Sequence, residues 1–268
     1  MQILLNTSKW YDRLWAALMF FTRLPFWRWY QPHQDAFKAV VEFWPLTGWL
    51  TAGVMAGVLY ASSLVFPYTV AVLLAIISRL MLTGALHEDG LADFFDGFGG
   101  GGSNRQRILD IMKDSHIGTY GVLALILYLA LLFATLLSMQ PVDAALTILM
   151  ADPYAKMISA QVIQMMPYAR TEETAKSHIV YRKFSWGAGI SLAVQGLLPV
   201  ALYLWWMSGR VDWQLVVFLP CLMMYFLYRF IWHRLRGYTG DCCGAIFLLT
   251  ELTVYMIVSC SFSMSLLR

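Results

Sequence analysis

The sequence predicts an all-α polytopic membrane protein with about seven transmembrane helices, and three observations carry that prediction. Of the 268 residues, 59% are hydrophobic and 13% charged, with a mean hydropathy of +0.60, whereas soluble domains are roughly a quarter charged. Seven apolar stretches approach or exceed the roughly 20 residues that a helix needs to cross a bilayer: 43–66, 68–86, 120–139, 142–166, 186–207, 212–232 and 244–264. Lys and Arg also gather at alternate ends of these stretches, as the positive-inside rule requires. The chain therefore reads as a single integral membrane domain over residues 1–268. It shows no internal repeat of the kind that many transporters carry.

The first apolar segment, 14–22, is short for a span and is flanked by Arg13, Arg23 and Arg28, so it is expected to be an interfacial or re-entrant helix, with an eighth span as the open alternative. No cleavable leader is expected, because the first thirteen residues are polar and mixed in charge. The charge pattern puts Lys9, Arg13, Arg23, Arg28 and Lys38 on one side, with Arg105, Arg107, Lys113, Arg170, Lys176, Arg182, Lys183, Arg234 and Arg236. The opposite side has only Arg210 and the terminal Arg268. The N-terminus and the loops 87–119, 167–185 and 234–243 are thus expected in the cytoplasm, the C-terminus outside. The outer turns at Phe66-Pro67, Gln140-Pro141 and Ser208-Gly209 are too short to carry chemistry.

The span 68–86 contains Arg79, and a cation at membrane depth needs a partner or a polar cavity. Directly after it comes His87-Glu88-Asp89-Gly90-Leu91-Ala92-Asp93-Phe94-Phe95-Asp96-Gly97, which packs four carboxylates into eleven residues. Read as a helix ending at Gly97, the segment places Asp89, Asp93 and Asp96 at i, i+4 and i+7 on one face. Like charges so arranged repel unless a cation sits among them, and hard oxygen ligands suit Mg²⁺ rather than zinc. The following run Gly99-Gly100-Gly101-Gly102 is either a phosphate-approaching backbone or a hinge.

Residues 105–121 read as an amphipathic helix running into the next span, capped by Ser103 or Asn104, with Asp110 and Asp114 on one face and Lys113 beside them. In 142–166, Asp152 and Lys156 at i, i+4 either neutralise each other or serve a site, while Glu251 in 244–264 calls for a buried cation. Pro167-Tyr168-Ala169-Arg170 ends one span, and Gly237-Tyr238-Thr239-Gly240-Asp241-Cys242-Cys243-Gly244 opens another, with Asp241 read as a helix cap or a site acid. Trp27, Trp29, Tyr30, Trp205 and Trp206 read as interfacial belts. Cys221, Cys242, Cys243 and Cys260 lack CxxC spacing and read as inert thiols. The net charge of +3 is modest, and no nucleic-acid partner is expected.

Six segments in chain order carry a further signal: Phe21-Thr22-Arg23-Leu24-Pro25, Trp44-Pro45-Leu46-Thr47-Gly48, Thr83 through Asp93 with Asp96-Gly97, Met112-Lys113-Asp114-Ser115 with Ile117-Gly118-Thr119-Tyr120-Gly121, Pro167-Tyr168-Ala169-Arg170, and Thr239-Gly240-Asp241 with Gly244-Ala245. Together they resemble the cobalamin synthase family, the adenosylcobinamide-GDP ribazoletransferases that complete the lower ligand of vitamin B12. Two features depart from that likeness: 142–166 has no Arg near its middle, and Thr171-Glu172-Glu173-Thr174 stands where glycines are expected.

The resemblance implies a bacterial inner-membrane enzyme that joins adenosylcobinamide-GDP to α-ribazole or α-ribazole 5′-phosphate with release of GMP. It further implies Mg²⁺ held by Asp89, Asp93 and Asp96 with Glu88, and a proton acceptor among these acids or His87. Arg79, Lys113 with Asp114, and Arg170 are the implied substrate contacts, with Asp241 contributing from across the bundle. Membrane lipid is an expected partner, and a homo-oligomer stays open. Two alternatives stand beside it. The acidic motif is similar to the signature of CDP-alcohol phosphotransferases, but theirs places an Arg where this chain has Asp93. A cation transporter is disfavoured because the cluster lies in a cytoplasmic loop rather than at the midplane.

Overall fold

The computed structural model describes residues 9–170 and 179–265. The stretch Thr171-Glu172-Glu173-Thr174 and Lys176 lie outside the described residues. The helices are α1 (Trp10–Phe21), α2 (Trp44–Ser63), α3 (Tyr68–Thr83), α4 (Leu86–Gly100), α5 (Arg105–Lys113), α6 (Thr119–Leu137), α7 (Pro141–Met165), α8 (Trp186–Trp206), α9 (Trp213–Leu235) and α10 (Gly240–Ser265), with 3₁₀ turns at Phe26–Arg28 and Gln34–Phe43. Among the described residues no β-strand forms, and Tyr168 and Tyr238 make one isolated parallel bridge.

A helix stands at each of the seven expected spans, yet four of them, α6, α8, α9 and α10, are by themselves long and apolar enough to cross a membrane. Counting α3 and α4 together as one broken span makes five. The expectation of seven full spans is corrected accordingly. Helix α3 has 16 residues, a rise of about 24 Å against a hydrocarbon core of about 30 Å. Helix α7 has 25 residues but carries Asp143, Asp152 and Lys156, and α2 is diluted by Gly, Thr and Ser. The protein is nonetheless a multi-pass helical membrane protein. Helix α1, at 12 residues, rises only about 18 Å and does not cross.

Helix α10 is the central one, with 83% of its spanning window buried, against 28–33% for α6, α8 and α9. The outer three turn large apolar side chains outward, among them Ile126 and Leu127, Ile190 and Val194, and Phe218 and Phe226. That is the surface a lipid environment selects. Helices α2 and α7 pack closely enough at Gly48 that a β-carbon there would lie 2.8 Å from Pro153 Cα, so only glycine fits.

The turn from α3 to α4 bends the chain by 88°. Two consecutive left-handed residues make it, Gly84 at φ 65° and Ala85 at φ 56°, the second a conformation that costs a non-glycine residue about 1–2 kcal/mol. Arg23 secures the corner, its N–H donating to Leu82 O at 2.7 Å. Helix α4 then runs past Gly97, the expected stop, to Gly100. Gly97 serves packing instead: a β-carbon there would lie 2.6 Å from Met112 Cγ of α5.

The expected single helix over 105–121 is two. Asn104 caps α5, its side chain accepting from Arg107 N at 3.1 Å, and the chain leaves helical geometry at Asp114 before α6 restarts at Thr119. Asp96 dictates that restart, because its carboxylate takes the amides of Gly118 and Gly121. Arg105 ties α5 to its neighbours by donating to Leu235 O at 2.8 Å and Ala169 O at 2.6 Å.

Candidate active site

A cavity of about 250 Å³ opens where the N-terminal ends of α4 and α10 meet. Phe20 and Phe21 of α1, Trp44 of α2 and Phe247 of α10 form apolar wall, and Tyr168 and Tyr181 close it from the loops. His87, Asp89, Lys156, Arg170, Thr239 and Asp241 supply its polar groups.

Two glycines allow the helices to approach. A β-carbon on Gly90 would sit 3.2 Å from Asp241 Cα, and one on Gly244 would sit 3.2 Å from His87 O. Thr239, rather than Asp241, caps α10, its hydroxyl accepting from Cys242 N at 3.3 Å. Asp241 is thereby left lining the cavity. The bridge between the Pro167 and Gly237 motifs, with Tyr238 N donating to Pro167 O at 3.0 Å and Ala169 N to Tyr238 O at 2.8 Å, brings Tyr168 and Arg170 to the same mouth.

The electrostatics suit an anion. Two helix N-termini converge here, each carrying partial positive charge. Arg170 adds a guanidinium that also donates to Leu109 O at 2.5 Å. Lys156 is buried and held by Asp152 Oδ1 at 2.5 Å and Thr51 Oγ1 at 3.0 Å, with Phe247 beneath its ammonium at 4.7 Å. The i, i+4 pair thus neutralises itself and still presents Lys156 to the cavity. His87 is buried, stacked on Phe21 with ring centroids 5.7 Å apart. Burial first, and then the Asp241 charge, pushes the Tyr168 hydroxyl up to about 12, and burial pushes that of Tyr181 well above its usual value. Both phenols are neutral hydrogen-bonding groups at physiological pH.

The remaining residues expected in the site lie elsewhere. Asp93 is buried one turn beyond Asp89 and does not line the cavity. Asp96 accepts from Gly118 N at 2.7 Å and Gly121 N at 2.8 Å. Glu88 turns into the bundle, its Oε1 3.8 Å from Arg79 Nη2 and its Oε2 buried without a hydrogen-bond partner. Arg79 pairs with Glu251, donating from Nη1 at 2.7 and 2.8 Å, and from Nη2 to Tyr128 at 2.7 Å. This is the buried cation that Glu251 required. Lys113 and Asp114 are exposed at the end of α5 and do not line the cavity.

The three aspartates share a face of α4, but i to i+7 spreads them over about 10 Å of helix, more than one ion bridges. Among the described residues no three His, Cys, Asp or Glu side chains come together as metal ligands. Mg²⁺, however, is commonly held by one or two carboxylates plus substrate phosphates. Asp89 and Asp241 line one cavity, a pair of carboxylates of the number that requirement sets.

Lys156, Tyr181 and the aromatic wall were not assigned to the site from sequence. Phe21 and Trp44 do stand in the segments that carry the family resemblance, which is the signal that marks them. Lys156 had none beyond its burial in a span.

The sequence model of the cobalamin-5-phosphate synthase family matches residues 13–259. Three proteins named adenosylcobinamide-GDP ribazoletransferase illustrate the similarity. That of Leptospira interrogans is 31% identical over 94% of this chain and 97% of its own length. That of Shewanella baltica is 34% identical over 92% and 93%, and that of Leptothrix cholodnii 35% identical over 90% and 92%. No solved structure matches the chain. With the match running from α1 into the last helix, the chain belongs to the cobalamin-5-phosphate synthase family.

Proposed function

We propose that this protein is an adenosylcobinamide-GDP ribazoletransferase acting in late cobalamin biosynthesis. The observation that carries the reading is the end-to-end match to proteins of that name, and the cavity supplies chemistry that suits it. In the reaction a hydroxyl oxygen of α-ribazole, or of its 5′-phosphate, bonds to the phosphorus attached to adenosylcobinamide. The bond from that phosphorus to the oxygen of GMP breaks, GMP leaves with the electron pair, and the hydroxyl proton passes to a base. This is a phosphoryl-type displacement, whose barrier falls chiefly through alignment and charge neutralisation.

Arg170, Lys156 and the N-termini of α4 and α10 hold the pyrophosphate. His87, fixed against Phe21, receives the hydroxyl proton. Asp89 and Asp241 would hold Mg²⁺, which would supply charge neutralisation for the phosphates. Asp93, Asp96 and Glu88 act at one remove, Asp96 by fixing the start of α6 and Glu88 by pairing with Arg79. The clustering of Lys and Arg at the cavity's end of the bundle supports a site facing the cytoplasm from the bacterial inner membrane.

The test uses purified protein in detergent with Mg²⁺. GMP should be released from adenosylcobinamide-GDP only when α-ribazole is present, and Asp89→Ala should abolish release while keeping the wild-type elution volume. Absence of GMP release by the wild type sinks the reading. CMP release from a CDP-alcohol would replace it.

A further inference from the structure

A second cavity, of about 200 Å³, lies between α1 and the start of α8 and shares no lining residue with the first. Its polar wall is Arg13, Glu42, Arg182, Lys183 and Ser185, so three cations face a single carboxylate. Arg13 Nη1 satisfies Glu42 at 2.6 Å, yet Arg13 Nε is buried without a hydrogen-bond partner. Arg182 reaches Asp35 only at 3.5 Å, across partly exposed side chains. Lys183 makes no ion pair among the described residues. Ser185 caps α8 by accepting from Ala188 N at 3.4 Å, so the positive end of a 21-residue helix lies at the same place. A guanidinium with a spare buried Nε, a second held only at 3.5 Å and an ammonium without an ion pair among the described residues, beside a helix start, form a receptor for a phosphate group.

The apolar surroundings identify which phosphate. Trp186 directly follows Ser185 and is 92% exposed, and Ile190, Val194, Leu197, Leu198, Leu202 and Trp205 are exposed after it. At spacings of three and four these form one continuous stripe, about 28 Å long from Trp186 to Trp205. Helix α1, whose Arg13 lines the cavity, and the turn after it present exposed Trp10, Trp27 and Trp29, residues that belong at headgroup level. The charged cavity and the start of this hydrocarbon-length track therefore lie at the same end of α8.

We propose that this cavity binds the phosphate headgroup of an anionic phospholipid whose acyl chains lie along the exposed face of α8. A soluble phosphate shares the headgroup chemistry but makes no use of the track. The proposal does not depend on the transferase reading.

Native mass spectrometry of protein stripped of lipid in mild detergent tests it, with phosphatidylglycerol and phosphatidylcholine added separately. The wild type should retain phosphatidylglycerol at concentrations where phosphatidylcholine is lost. Arg182→Ala/Lys183→Ala should retain it roughly tenfold more weakly, since each basic residue near an anionic headgroup contributes measurably to binding. Lys183 is exposed, so Lys183→Glu alone gives a second, fold-neutral variant with the same direction, and Arg182→Lys should bind as wild type. Equal retention of the two lipids, or unchanged retention by the double variant and Lys183→Glu, overturns the proposal. Displacement of phosphatidylglycerol by millimolar inorganic phosphate also overturns it, by assigning the cavity to a soluble anion.

Discussion

The carboxylate of Asp96 accepts the amide of Gly121 at 2.8 Å across twenty-five residues of chain. Its other oxygen accepts from Gly118 at 2.7 Å. A side chain from the most acidic stretch of the protein thus starts the next helix by taking two amides that helical geometry leaves without partners.

Replacing Asp96 with Asn leaves one oxygen for two amides and turns a donor toward the other. We predict a loss of about 1–3 kcal/mol in stability and faster hydrogen exchange at Gly118 and Gly121, measured without added metal. Unchanged exchange at both amides would mean that the carboxylate does not organise this helix start.

Breaking the Arg79 and Glu251 pair leaves the buried guanidinium with only the Glu88 carboxylate, 3.8 Å away, as its counter-charge. Glu251→Gln should cost about 3–5 kcal/mol, read as earlier loss of monodisperse elution on heating. Arg79→Met/Glu251→Leu combined with Glu88→Gln should recover much of that loss, because it removes all three coupled charges together.

Gly90 sets the approach of the two helices that carry Asp89 and Asp241. Gly90→Ala places a β-carbon 3.2 Å from Asp241 Cα, which forces the helix ends apart by a few tenths of an ångström. GMP release should drop roughly tenfold, given how steeply rate depends on alignment, while the melting temperature moves by only a few degrees. A large melting shift with full activity would contradict the placement of the site.

If Asp89 and Asp241 hold Mg²⁺ with the substrate, chelation should abolish GMP release and leave the far-UV circular dichroism unchanged. Asp89→Asn and Asp241→Asn should each raise the Mg²⁺ concentration giving half-maximal rate. Full activity in excess chelator would rule the ion out.

His116 Nδ1–H donates to the Asp114 carboxylate at 2.7 Å on the exposed loop before α6. The hydrogen bond raises the imidazole above its ordinary 6.5 and lowers the carboxyl below its ordinary 3.8. The histidine's contribution is complete below 6.5 and fades as pH rises through the raised value. The aspartate's is complete above 3.8 and fades as pH falls through the lowered one. The histidine resonance that disappears in His116→Ala should therefore titrate above 6.5 in the wild type and return to about 6.5 in Asp114→Asn.

The spacing of Asp89, Asp93 and Asp96 disclosed a helix with an acidic face, and the composition disclosed a membrane protein. What spacing on one helix could not disclose is which of its residues meets another helix. Asp89 lines the cavity because Gly90 admits Asp241, while Asp96 is drawn off by the amides of Gly118 and Gly121. The corner at Gly84 and Ala85 was half legible: glycine marks a left-handed residue, but alanine does not. The seven-span expectation erred where apolar length was read without regard to what the segment packs against. Helix α7 spends its middle on Asp152 and Lys156, which only a helix enclosed by others can do.

The pairing of Arg79 with Glu251 also has a bearing on how the protein is made. The two are 172 residues apart, so the ribosome has delivered α3 through α9 before the closer of the two carboxylate partners exists. Until then the guanidinium has Tyr128 and Glu88 for company. The last helix therefore closes both the charge balance of the bundle and, through Asp241, the wall of the cavity. A nascent chain interrupted before residue 240 lacks both Glu251 and Asp241, so one late helix completes the buried charge pairing and the cavity wall together.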